Sequence, residues 1–152
     1  ENVQKREIVF DDKIVLIGVK VDETLVWRTK TAKITFYFKV KAGLAKSWKL
    51  FVHVDRVGGA RIGADHWIAN LATSEEEKNC TGCFKTNHWM VGDIIADHFE
   101  VPIPMAHSPG LHRIHMGMYD PNATQRLRIT DVKPPTKHNG DHRVEVGSFV
   151  VR

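Results

Sequence analysis

The chain has 152 residues, of which 42% are hydrophobic and 26% charged; that is the size and composition of one globular domain able to bury its own core. No apolar run approaches the ~18 residues that cross a bilayer as a helix, so a membrane-spanning chain is not expected. The formal charge is +4, with 22 Lys and Arg against 18 Asp and Glu, but the basic residues are spread along the chain between apolar ones. A nucleic-acid footprint concentrates them in a patch or run, so no nucleic-acid partner is expected.

In chain order, the first clear element is "DKIVLIGVKVD", a nearly continuous apolar run in which Gly18 marks a candidate bulge. "KITFYFKVK" then alternates with period two: Ile34, Phe36, Phe38 and Val40 share one parity, and the lysines share the other. Successive side chains of a strand point to opposite faces, so this is a half-buried strand. "SWKLFVHVD" repeats the pattern with Trp48, Leu50, Val52 and Val54 inward. "ARIGADHWIA" is a shorter candidate. A long loop over about 69 to 88 follows, in which "TSEEEK" would start one short helix with Ser74 as its N-cap. "DIIADHFEVPIP" is a strand whose Pro102 and Pro104 suit a sheet edge. "LHRIHMGMY" places Ile114, Met116 and Met118 inward, with His112 on the same parity and expected to be buried and hydrogen-bonded. "RLRITDV" and "HRVEVGSFVVR" complete the set. Turn signals such as "VGGA", "HSPG", "DPNATQ" and "KPPTKHNGD" separate the segments.

About eight short antiparallel strands at this spacing predict an all-β sandwich, jelly-roll-like, forming a single domain over 1–152. The chain begins with Glu1 in place of Met, so the domain is expected to come from a longer or processed protein.

The two cysteines, Cys80 and Cys83, lie in "NCTGCFKTNHW" within the long loop. Haem attachment needs His directly after the second cysteine, and position 84 is Phe. A thioredoxin-like motif needs a βαβ setting that this pattern lacks. A zinc site built from Cys80, Cys83 and His88 remains the alternative, although structural zinc sites generally draw on two tight ligand pairs. A disulfide clip between Cys80 and Cys83 is the favoured reading, and with it an oxidising compartment.

No nucleophile motif or phosphate loop is present, so no catalytic residue is assigned, and an enzyme is the less expected outcome. Three Asp-His dipeptides, at 65–66, 97–98 and 141–142, cannot act as dyads within their own strands, because neighbours face opposite ways. A convergence of His53, Asp55, Asp65, His66 and His88 near the loop would suit a transition metal. Asp97 has core parity and needs partners, either neighbouring backbone N–H groups or an ion such as calcium. Trp27, Trp67 and Trp89 fall in or beside predicted loops, where an aromatic ring can stack on the apolar face of a sugar. Trp48 belongs to the core.

In order, "WKLFVHVDRVGGARIGADH", "NHWMVGDIIADHFEVPIP", "PGLHRIHMGMYDPNATQRL" and "HRVEVGSFVV" resemble the β-sandwich domain at the C-terminus of some bacterial membrane glycosyltransferase-like proteins of the dolichyl-phosphate-mannose mannosyltransferase type, and of related envelope proteins. The residues that carry the resemblance are His53, Asp65, Trp89, Gly92, Asp97, Pro104, Gly110, Gly117, Tyr119 and Leu127, over about residues 14 to 151. His112 stands where that pattern has an aromatic, and the insert with Cys80 and Cys83 lies outside it. The resemblance implies a periplasmic or extracytoplasmic domain beside a glycan-handling membrane machine, without implying a catalytic site.

The resulting expectation is a non-catalytic accessory domain that binds or positions a glycan or an envelope partner protein. Trp67, Trp89 and Tyr119 would stack on sugar; His53, Asp65, His66 and Asp97 would supply hydrogen bonds; no cofactor is required. The alternatives are a metal-binding protein or metalloenzyme using zinc or calcium, and a purely structural assembly domain.

Overall fold

The computed structural model describes residues 2–22, 26, 30–68, 85–105, 107, 109–138 and 140–152. Two antiparallel sheets pack face to face. Their strands are β1 (Gln4–Phe10), β2 (Ile14–Asp22), β3 (Thr31–Val40), β4 (Lys49–Arg56), β5 (Arg61–Gly63), β6 (His66–Trp67), β7 (Ile94–Pro102), β8 (Gly110–Asp120), β9 (Gln125–Arg126), β10 (Ile129–Val132) and β11 (Val144–Val151). The first sheet runs β10-β1-β2-β3-β7; the second runs β11-β8-β4-β5, with β6 also on β4 and β9 on β8. From β3 onward the longer strands β3, β4, β7, β8, β10 and β11 alternate between sheets, the crossing connectivity of Greek-key and jelly-roll sandwiches.

The all-β sandwich expectation holds, but with eleven strands among the described residues in place of eight. One of the additional three, β1, begins with four polar residues and becomes apolar only at Ile8, Val9 and Phe10, too short a stretch to show a period. The other two arise because "ARIGADHWIA" and "RLRITDV" each divide into two short strands that pair separately. Near Gly18 the β2–β3 register shifts between Leu16 and Gly18, as the bulge expectation requires. β7 lies at a sheet edge, as its prolines suggest. Ser74, Cys80, Cys83 and Trp27 lie outside the described residues, so the helix start, the disulfide clip and the Cys80–Cys83–His88 zinc set do too.

The core is the contact between the inner rows of the sheets. Ile8, Phe10, Leu16, Ile34, Phe36 and Phe38 come from one side; Leu50, Val52, Val54, Ile114, Met116, Met118 and Phe149 come from the other. Trp48 joins the same core, and His112 is fully buried, with its Nδ1 paired to the Gly110 carbonyl oxygen at 2.9 Å. Period-two alternation thus sorts β3, β4 and β8 as their sequences indicate. The notable departure is Phe51. It has outward parity on β4 yet is 3% exposed, because the outer face of this sheet carries a second, smaller packed layer.

Candidate functional site

Two adjacent residues of β6 separate the structural and the exposed chemistry. His66 pairs with Leu50, an inward residue of β4, and Trp67 pairs with Lys49, an outward one. His66 therefore enters the sandwich, where it meets Asp97 of β7, itself opposite the inward Phe36. His66 Nε2 lies 2.7 Å from Asp97 Oδ2, and Nδ1 lies 2.8 Å from the Ala64 carbonyl oxygen. The Asp97 side chain is fully buried and that of His66 is 19% exposed. Burial pushes the imidazole pKa down, but the hydrogen bond and charge of Asp97, aided by the Ala64 carbonyl, outweigh it and leave the value raised. Two acceptors facing the two ring nitrogens suit a doubly protonated imidazolium, tilted against Phe99 with centroids 4.4 Å apart.

Asp97 was expected to hold a loop through N–H groups, to bind calcium or to contact sugar. Among the described residues it joins the two sheets through a histidine. Neither Asp97 nor His66 is placed to contact a ligand at the surface. Both His66 nitrogens are engaged, so the ring has no free lone pair with which to act as a base. Trp89 departs from expectation in the same way. It is 3% exposed and packs on Phe38 with ring centroids 5.8 Å apart, so its faces are covered by the core. It follows a short 3-10 turn, Thr86–His88, anchored by buried Thr86: the hydroxyl donates to the Lys46 carbonyl at 2.8 Å and accepts from Trp48 N–H at 2.8 Å. His88 is exposed on this turn.

The outer face of the second sheet gathers the remaining candidates. Lys49 of β4 is flanked by Trp67 of β6 and Tyr119 of β8, and Tyr119 is flanked by Arg126 of β9. Direct cross-strand partners point to the same face, so Trp67, Lys49, Tyr119 and Arg126 form one lateral row across four strands. All four side chains are half-buried. Lys49 Nζ stands 5.9 Å from the Trp67 ring centroid, and Lys85 Nζ, from just before the 3-10 turn, stands 5.0 Å from it. Asp65 fixes the approach to β6 by accepting from Val52 N–H at 3.1 Å. It also faces Tyr119, whose phenol pKa is raised by burial and by the Asp65 charge.

Beneath the row, Phe51 lies over Gly117, its partner on β8. A Cβ at position 117 would meet the Phe51 ring and stand 2.6 Å from the His142 carbonyl oxygen, so only glycine fits. Arg126 closes this layer with its guanidinium carbon 4.4 Å from the Phe51 centroid.

Further along the same face, Asp55, a candidate for a metal cluster in the sequence, is the hub of an arginine network. Arg61 contacts both its oxygens, at 2.6 and 3.3 Å, and Arg143 Nη2 lies 2.8 Å from Oδ2. His115 Nδ1 is 3.2 Å from that oxygen but out of line for a hydrogen bond. Burial pushes the Asp55 carboxyl up; Arg61, Arg143 and His115 together outweigh this and hold it below the usual carboxylate value. His53 and His115, direct neighbours on β4 and β8, are both pushed down, first by burial and then by the arginine charges. They are neutral imidazoles at neutral pH. An open cleft of about 590 Å³ adjoins His115, lined also by Arg113, Lys137, Glu145 and Ser148 among others.

The proposed convergence of His53, Asp55, Asp65, His66 and His88 on a metal does not form: His66 faces inward, His88 sits on a separate turn, and Asp55 is occupied by two arginines. Among the described residues no group of three or more His, Cys, Asp or Glu is arranged to hold an ion. No helix among them is long and apolar enough to cross a membrane. The other two Asp-His dipeptides also divide: His98 Nδ1 meets the Thr35 hydroxyl at 2.9 Å, and His142 Nδ1 accepts from Ile129 N–H at 3.1 Å. The chain matches no protein-family model, and no curated protein matches it.

Proposed function

We propose that this domain is a non-catalytic glycan-binding module, and that its binding platform is the outer face of the six-stranded sheet. The observation that carries this reading is the placement of Trp67 and Tyr119, two half-buried rings on one face, on either side of a single strand residue. Two strand spacings separate them, about 10 Å, a span that a short oligosaccharide covers. An aromatic ring offers a flat apolar surface to sugar C–H groups, and adjacent polar groups orient the hydroxyls. Asp65 supplies an acceptor beside Tyr119, and half-buried His53 continues the same face; its Nδ1 is buried and has no hydrogen-bond partner among the described residues, so a ligand would meet the outer edge of the ring. Trp89, His66 and Asp97 act as supports, and the contact residues are Trp67, Tyr119, Asp65 and His53.

The resemblance to extracytoplasmic domains of membrane glycosyltransferase-like proteins favours an accessory role beside a glycan-handling machine, in the periplasm or otherwise outside the cytoplasm. Glycan-array screening followed by calorimetry tests the assignment. Binding that Trp67→Ala abolishes, while the thermal midpoint stays near that of the parent, supports the platform. Binding unchanged by both Trp67→Ala and Tyr119→Ala rejects it.

A further inference from the structure

We propose that the row Trp67–Lys49–Tyr119–Arg126, with Lys85 beside it, selects an acidic glycan, one whose sugar units carry carboxylate or phosphate. This rests on the glycan-binding reading above and specifies its ligand class.

Ring and cation alternate along the row. Lys49 stands between the two aromatic residues, and Arg126 stands beyond the second. Lys85 and Lys49 both reach the Trp67 ring. Both ammonium groups lie over the Trp67 ring, so a sugar stacking there displaces at least one of them towards its own ring substituents. Among the described residues, Lys49, Lys85 and Arg126 form no ion pair with a carboxylate. The other basic residues of this face differ. Arg61 and Arg143 are committed to Asp55, and Arg113 lies 3.6 Å from Glu145. Asp65 is a carboxylate placed against the row, beside Tyr119.

Arg126 holds its position through the Asp141 carbonyl at 2.9 Å and the Phe51 ring, contacts that leave its charge uncompensated. Unpaired cations beside apolar rings repel one another, and an anionic ligand relieves that repulsion while the rings supply contact area. A neutral glycan gains only the stacking.

The experiment is calorimetric titration of the whole chain with three oligosaccharides of equal length: a hexuronic acid oligomer, its carboxyl-reduced neutral counterpart, and a phosphorylated oligomer of neutral sugar. The expected result is at least tenfold tighter binding of one or both acidic oligomers than of the neutral one. That preference should shrink as salt rises, since half-exposed charges are screened. Lys49→Gln and Lys85→Gln should each weaken the acidic ligand several-fold more than the neutral one, with thermal midpoints confirming that both variants fold. The better of the two acidic arms identifies the anion.

Equal affinity for acidic and neutral oligomers, or lysine variants that bind the acidic ones as tightly as the parent, overturns the acidic preference and leaves the glycan platform standing. Failure of all three to bind overturns the platform itself.

Discussion

Asp97→Asn tests the link between the sheets most directly. The substitution keeps the shape of a fully buried side chain and removes the charge that faces His66 Nε2 at 2.7 Å. A hydrogen bond to a charged group contributes about 1.5–3 kcal/mol. The short contact and low exposure argue for the upper part of that range; the amide, which can still accept or donate, argues for the lower. A loss of about 2 kcal/mol follows, equal to a fall of about 4–8 °C in the thermal midpoint of a domain this size. The loss should depend on pH, with a definite sign. The folded His66 pKa is raised above its ordinary value, so the pair's proton-linked stability is fully present below about pH 6.5, the unfolded imidazole value, and is lost as pH rises through the folded value. In the variant, a neutral His66 can donate from Nδ1 to Ala64 and accept from the Asn amide, so this dependence disappears. Thermal melts of both proteins from pH 5.5 to 9 should therefore show the gap narrowing towards alkaline pH. Parallel melting curves, or a variant as stable as its parent throughout, would refute the ion-pair account.

Gly117→Ala should cost about 1–3 kcal/mol by chemical denaturation; adding Phe51→Leu should restore only part of it, because the His142 carbonyl oxygen also crowds the new methyl group. Trp89→Ala removes a core ring and should cost about 3–5 kcal/mol, a fall of the thermal midpoint greater than about 6 °C. Trp67→Ala, by contrast, should lose ligand and keep most of its stability; the reverse pattern would exchange the roles given to the two tryptophans. Arg61→Gln should raise the His53 pKa in an NMR titration, because Arg61 lowers it directly and also partly neutralises Asp55; a downward shift would contradict the charge arrangement around the hub.

What the sequence makes legible is parity. "KITFYFKVK", "SWKLFVHVD" and "LHRIHMGMY" each identify their inner row because one face is apolar and the other is not. Asp97 is legible in the same way, as a carboxylate on the inner row of its strand. Its partner is not, because His66 lies 31 positions away in a two-residue strand whose facing depends on pairing with β4. Trp89 misleads because its local context resembles a loop; only the docking of the Thr86 turn on Lys46 and Trp48, just before β4, turns the ring into the core. The Asp55 hub escapes for a related reason. Its partners come from β5, β8 and the approach to β11, and no spacing along the chain encodes which arginine reaches which acid.

If the proposed glycan platform is right, the same strand that hides its partner from the sequence also connects stability to recognition. β6 has two residues, and its pairing with β4 rests on two register pairs. A strand that short has little backbone hydrogen bonding to fix its register, and a slip of one residue exchanges its two faces. The His66–Asp97 contact opposes such a slip, because it requires His66 to face inward. Once His66 faces inward, Trp67 faces outward beside Lys49. The position of a half-buried outer ring is thus set by a buried charge on the opposite sheet. A lone surface tryptophan on a mobile loop would lose more conformational freedom on stacking against a ligand; one whose backbone direction is already fixed from the interior loses less, and retains more of its contact energy as affinity.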